Sequence, residues 1–135
     1  MIDIENEVFT VVAKALRQKF KNIKVYGDED KRVEATFPVV TFVETDNRTY
    51  TPSLDTRLGE NHVRVVYTAN IYSNLERGKK TECKAIEKEI SDVMTSLGFI
   101  RTASMEVPNA QDRTIHRRTA RYEAVISKDK KIYRS

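Results

Sequence analysis

The stretch NHVRVVYTANIYS (residues 61–73), followed after a short polar turn by KKTECKAIEKEISDVMTSL (residues 79–97) and then Gly98, decides the fold of this chain. In the first segment Val63, Val65, Tyr67, Ala69 and Ile71 alternate with Arg64, Thr68 and Asn70, the two-residue period of a strand that buries one face. In the second, Cys83, Ile86, Ile90, Val93 or Met94, and Leu97 recur at helical spacing, while Lys80, Lys84, Glu87, Lys88 and Asp92 turn elsewhere. That is an amphipathic helix, and Gly98 closes it. A strand with one apolar face and a helix with one apolar stripe satisfy each other, which predicts a sheet covered on one side.

Upstream, Ile4, Val8, Val11 or Val12, Ala15, Leu16 and Phe20 predict a helix from about Asp3 to Phe20, with Asp3 as its amino-terminal cap. Asp3, Glu5 and Glu7 at its start and Lys14, Arg17, Lys19 and Lys21 at its end suit the helix dipole and need no ligand to explain them. Residues 23–26 fit a short strand, Gly27-Asp28-Glu29-Asp30 a turn, and residues 39–44 a buried strand opening after Pro38. Residues 46–60 are polar and aperiodic and read as a long loop, the kind that often carries function. Arg48, Tyr50, Leu54 and Arg57 equip it for contact.

Downstream, residues 99–107 predict a strand with Phe99 or Ile100, Ala103 and Met105 inward. Residues 114–127 predict the last strand, with Ala120, Tyr122, Ala124 and Ile126 on one face and Arg117, Thr119, Arg121 and Glu123 on the other. The expected fold class is α+β, order α-β-β-β-α-β-β: a mainly antiparallel sheet with both helices packed on one face and the other face largely polar. Residues 1–127 form one domain in this reading, and residues 128–135 a basic tail that frays. The long final strand is expected to leave an exposed edge, which its arginines either protect or offer for association.

With 135 residues, 39% hydrophobic and 33% charged, the chain suits one two-layer core. No run approaches the roughly 20 apolar residues of a membrane span. The opening Met1-Ile2-Asp3-Ile4-Glu5 lacks a basic start and apolar run, so the chain is expected to stay in the cytoplasm of the cell that makes it. The single cysteine, Cys83, lies on the apolar helix stripe and reads as a buried structural thiol.

Motifs for chemistry do not emerge. His62 and His116 stand on separate segments without a cysteine partner, which leaves no zinc ligand set. The Asp28-Glu29-Asp30 run lacks the spaced oxygens of a calcium loop. No serine sits in a Gly-x-Ser-x-Gly elbow, and Gly27, Gly59, Gly78 and Gly98 are isolated, so neither a nucleophile elbow nor a phosphate cradle is expected. The chain reads as a non-enzyme without cofactor or metal.

The net charge of +4 matters less than its placement. Arg113, His116, Arg117, Arg118 and Arg121 run without an acid among them, and Lys128, Lys130, Lys131 and Arg134 follow. An acidic partner is expected to dock on this third of the chain. A nucleic acid is the rival partner, since the run can neutralise phosphates, but it carries no aromatic before Tyr122, which faces the core. A protein partner suits arginine's bidentate pairing with carboxylates, and Asp28, Glu29, Asp30, Asp46 and Asp55 supply acids within the chain itself. A head-to-tail contact between copies follows, closing into a ring where the rotation permits.

The order of elements, with Met1-Ile2-Asp3-Ile4-Glu5-Asn6-Glu7-Val8-Phe9, Asn61-His62, Asn70-Ile71-Tyr72-Ser73-Asn74, Gly78-Lys79-Lys80, Asp92-Val93-Met94 and Leu97-Gly98-Phe99, resembles the tail terminator family of long-tailed bacteriophages. It also resembles small proteins of prophage tail modules in low-GC Gram-positive bacteria. The resemblance implies a hexameric ring that caps the tail tube, stops its polymerisation and meets the head connector on its other side, in a virion assembled in the bacterial cytoplasm. It implies no catalysis. On that resemblance the loop of residues 46–60, with Arg48, Tyr50, Leu54 and Arg57, touches the tube protein or the connector. The strand carrying Arg113, Arg117, Arg118 and Arg121 pairs with a neighbouring subunit or lines the channel through which DNA passes. Another small head-tail joining or tail completion protein shares the same ring-forming logic.

Overall fold

Leu97 ends its helix because Gly98 turns into the left-handed region (φ 102°), where a side chain would be strained. The Phe99 N–H then donates to Met94 O at 2.9 Å and the Gly98 N–H to Thr95 O at 3.0 Å, which satisfies the last carbonyls and turns the chain back toward the sheet. The computed structural model describes residues 4–27, 38–49, 62–108, 114–127 and 132–134. Its elements are α1 (Glu5–Lys19), β1 (Lys24–Tyr26), β2 (Val39–Thr49), β3 (His62–Ser73), α2 (Lys79–Leu97), β4 (Ile100–Val107), β5 (His116–Ser127) and β6 (Ile132–Arg134).

The fold is α+β. The sheet runs β1-β2-β3-β5-β4, with β6 added against β5. Only β1 and β2 pair in parallel; the other pairings are antiparallel. Both helices cover one face. Val8, Val12, Ala13 and Leu16 of α1 and Cys83, Ile86, Ile90 and Met94 of α2 join a single core with Val40, Phe42, Val63, Val65, Tyr67, Ala69, Ile71, Ala120, Tyr122, Ala124 and Ile126. At its centre the Tyr67 ring stacks on Phe42 with centroids 5.3 Å apart and meets Phe99 edge-on at 5.4 Å. The Tyr67 hydroxyl donates to Glu44 Oε1 at 3.2 Å, so this large ring brings no orphaned polar atom into the core. Burying each fully covered Ile contributes about 1.5–3 kcal/mol, and Ile71, Ile86, Ile90 and Ile126 are all fully covered.

Several expectations change. The first residue before α1 is Ile4, which makes no side-chain cap bond; Asp3 lies outside the described residues. Val12 and Ala13 face the core, whereas Val11 is exposed. β2 continues to Thr49, so residues 46–49 are strand where a loop was expected. β5 is not an edge strand but lies between β3 and β4. Residues 132–134, expected to fray, pair with residues 124–126 as β6. Of the two alternatives at the start of β4, Phe99 is the buried one and Ile100 is exposed, but Met105 is exposed rather than inward. The cause is a bulge between Arg101 and Ala103: one extra residue reverses the side-chain parity, so Ser104 opposite Ala120 and Glu106 opposite Arg118 take the helix side. No helix among the described residues is long and apolar enough to cross a membrane.

Candidate functional site

The sheet face away from the helices carries a groove of about 510 Å³ lined by Thr45, Asp46, Val66, Thr68, Asn70, Arg117, Thr119 and Arg121. Strand parity accounts for most of it. Thr68 and Asn70 in β3 lie opposite Arg121 and Thr119 in β5, and directly opposed residues of an antiparallel pair share a face. The irregularity between Glu44 and Asp46 does the rest. It inserts Thr45 and turns Asp46, opposite Val66, onto the groove side. Thr45 Oγ1 lies 2.9 Å from Thr68 Oγ1, which fixes the bulge against the neighbouring strand.

The charges of this face are unevenly matched. Asp46, the acid in the lining, is held by Arg48 Nε at 2.8 Å. Beside the groove, Arg64 meets Glu123 at 2.6 Å. Among the described residues Arg117 meets no carboxylate: its Nε and Nη2 donate to the amide oxygen of Asn70 at 3.3 and 3.0 Å, and its guanidinium lies 5.6 Å from the centre of the Tyr72 ring. Thr119 Oγ1 donates to the same Asn70 oxygen at 2.7 Å. Arg121 is exposed, and no hydrogen bond or ion pair engages it among the described residues. A neutral amide, an aromatic ring and two threonines therefore position Arg117 while leaving its charge, and that of Arg121, uncompensated. The chemistry of such a face suits a carboxylate or another oxyanion.

Arg118 belongs elsewhere. Parity turns it to the helix side, where its Nε donates to Glu87 Oε1 at 3.1 Å and its Nη2 to Ser104 Oγ at 3.0 Å. Ser104 Oγ donates to Glu87 Oε1 at 2.6 Å, and Arg101 Nη1 reaches Glu87 Oε2 at 3.5 Å. Glu87, expected to face solvent, is 5% exposed. Burying a carboxylate is costly without such partners, and this one pins α2 to β4 and β5. The basic run is thus divided between two faces rather than forming one surface. Arg117 and Arg121 reach the groove, Arg48 sits on its rim paired with Asp46, and Arg118 is structural. Tyr50, Leu54, Arg57 and Arg113 lie outside the described residues.

Asn70, Thr45 and Thr68 were not singled out as site residues. The alternation of residues 61–73 already put Asn70 and Thr68 on the polar face, yet only the register sets Asn70 beside Arg117. Thr45 depends on a bulge, for which Thr45-Asp46-Asn47 offers no decisive signal.

Cys83, Tyr122 and His116 lie on the helix side of the sheet, away from the groove. Burial pushes the Cys83 thiol up to about 12, so it stays protonated, its Sγ 3.8 Å from Ile71 O and 3.7 Å from His116 O. Burial likewise pushes Tyr122 up to about 12, against the opposing effect of Ser91, whose Oγ is 2.7 Å from the phenolic oxygen. His116 is lowered by burial, which outweighs the raising effect of Glu106, and Lys80, Arg118 and Lys79 push it further down. Its Nε2 lies 3.4 Å from Glu106 Oε1 without hydrogen-bond geometry. A folded pKa below the unfolded one means that the fold resists protonation. Its stability is complete above the unfolded value near 6.5 and is lost as pH falls through the folded value. His116→Gln is therefore expected to reduce the loss of stability between pH 7.5 and pH 5, measured by urea denaturation at each pH. An unchanged loss would remove His116 from the pH response.

Among the described residues no three His, Cys, Asp or Glu side chains converge as metal ligands do. No protein-family model matches the chain, and no curated protein matches it in sequence.

Proposed function

We propose that this chain acts by contact rather than catalysis, as the ring-forming subunit of a tail terminator: copies of it close into a ring that caps a phage tail tube, stops its growth and meets the head connector. The single observation that carries the reading is the division of labour between the two sheet faces. One face is sealed by both helices, while the other holds a groove with two guanidinium groups that no carboxylate of the described residues neutralises. The resemblance described above gives this binding face its context in a tail. Ring closure requires a contact between two different surfaces of the subunit, and a basic groove cannot serve as its own partner.

A tube cap matches the terminal ring of the tube on one side and offers nothing to a further tube ring on the other. The test is assembly. Purified chain added to polymerising tube protein is expected to shorten the tubes and to appear at their ends as a ring by electron microscopy, with six copies as the resemblance implies. Tubes that grow to the same length with no density at their ends would refute the terminator reading.

A further inference from the structure

We propose that the groove receives the acidic run Asp28-Glu29-Asp30 of a neighbouring copy, so that its Arg117 and Arg121 form the subunit-to-subunit contact of the ring. The inference rests on the ring reading and assigns the surfaces that build it. It starts from charge. Arg117 is fixed by Asn70 and Tyr72, neither of which carries an opposing charge, and Arg121 is exposed without a partner among the described residues. Arg48, Arg64, Arg101 and Arg118, whose side chains are described on β2 to β5, each meet an Asp or Glu. The sequence in turn contains one run of three consecutive acids, Asp28-Glu29-Asp30.

Symmetry narrows the arrangement. A two-fold contact through the groove would bring Arg117 and Arg121 against the same residues of the partner, and like charges directly opposed are repelled. Within the ring reading the groove therefore meets a different surface of the next copy, basic groove to acidic segment, in the head-to-tail arrangement that generates rings. Arg117 and Arg121 lie four residues apart along β5, about 13 Å, with Thr119 between them, so the groove presents two separate cationic positions. A groove of about 510 Å³ has the size of a pocket for a few side chains. A nucleic acid fits less well, because the Tyr72 ring, 4% exposed, is not open for base stacking.

The experiment measures self-association of the full chain by light scattering across a concentration series, for wild type, Arg121→Glu, the double variant Asp28→Arg/Asp30→Arg, and the chain carrying all three changes. The wild type is expected to form one closed oligomer. Arg121→Glu and the acidic-run variant are each expected to weaken association about tenfold or more, and the combined chain to regain most of the loss. Arg121→Gln, which removes the charge without reversing it, is expected to weaken association with an unchanged melting temperature, separating the contact from folding. Association unaffected by Arg121→Glu in an oligomeric wild type would overturn this contact and leave the ring reading standing. A wild type that stays monomeric would overturn both. Oligonucleotide binding that is lost in Arg121→Glu while self-association is retained would assign the groove to nucleic acid instead.

Discussion

Glu87→Ala is expected to destabilise the fold by about 3–5 kcal/mol, because it leaves the guanidinium of Arg118 buried without its counter-charge. The Arg118 side chain is only 16% exposed and the Glu87 side chain 7%, so water cannot replace the lost carboxylate, and Ser104 Oγ loses an acceptor at 2.6 Å. Most of the cost is the unpaired charge rather than the worth of the pair. Glu87→Met combined with Arg118→Met should therefore recover most of the stability, since a buried ion pair replaced by apolar side chains of similar volume is often neutral or stabilising. Arg101→Ala should cost little, about 1 kcal/mol or less, as that side chain is 49% exposed and 3.5 Å from Glu87. Urea denaturation of the three variants against wild type checks the order. A Glu87→Ala protein as stable as wild type would mean that the cluster does not hold α2 to the sheet.

Ile90→Asp is expected to leave no cooperatively folded protein. Ile90 is fully buried between α2 and the sheet, and removing such a side chain alone costs about 2–5 kcal/mol. Burying an unpaired carboxylate adds a penalty of comparable size, and the sum consumes most of the roughly 5–15 kcal/mol that stabilises a domain. Ile90→Val, which removes one methylene, should cost only about 0.5–1.5 kcal/mol. Far-ultraviolet circular dichroism with urea titration separates the outcomes. A cooperative, wild-type-like transition for Ile90→Asp would place the apolar stripe of α2 on the wrong side.

The elements legible in the sequence were those with an uninterrupted period. Residues 61–73 and 79–97 alternate or repeat without a break, and β3 and α2 follow them to within one residue. Period fails wherever one residue is inserted. In β2 the bulge before Asp46 prolongs a strand through residues that look like loop, and in β4 the bulge after Arg101 exchanges Ala103 and Met105 for Ser104 and Glu106 on the helix side. Composition misled at Glu87. It stands four residues after Cys83 and three before Ile90, squarely on the apolar stripe, but a carboxylate there is affordable only beside Arg118, and that proximity is a tertiary fact. Arg118 itself shares parity with Ala120 and Tyr122, so the alternation of residues 114–127 already separated it from Arg117. The groove was half legible: Arg117, Arg121, Thr119 and Asn70 were on the polar faces of their strands, whereas their juxtaposition came from the register of β3 with β5.

The contact-based account stands or falls on the mass of the purified full chain in solution, followed from low to high concentration at physiological salt. It predicts a single closed oligomer of fixed subunit number, visible as a ring by electron microscopy and dissociating as salt screens the arginine–carboxylate contacts. A chain that remains monomeric at the highest concentration would contradict it.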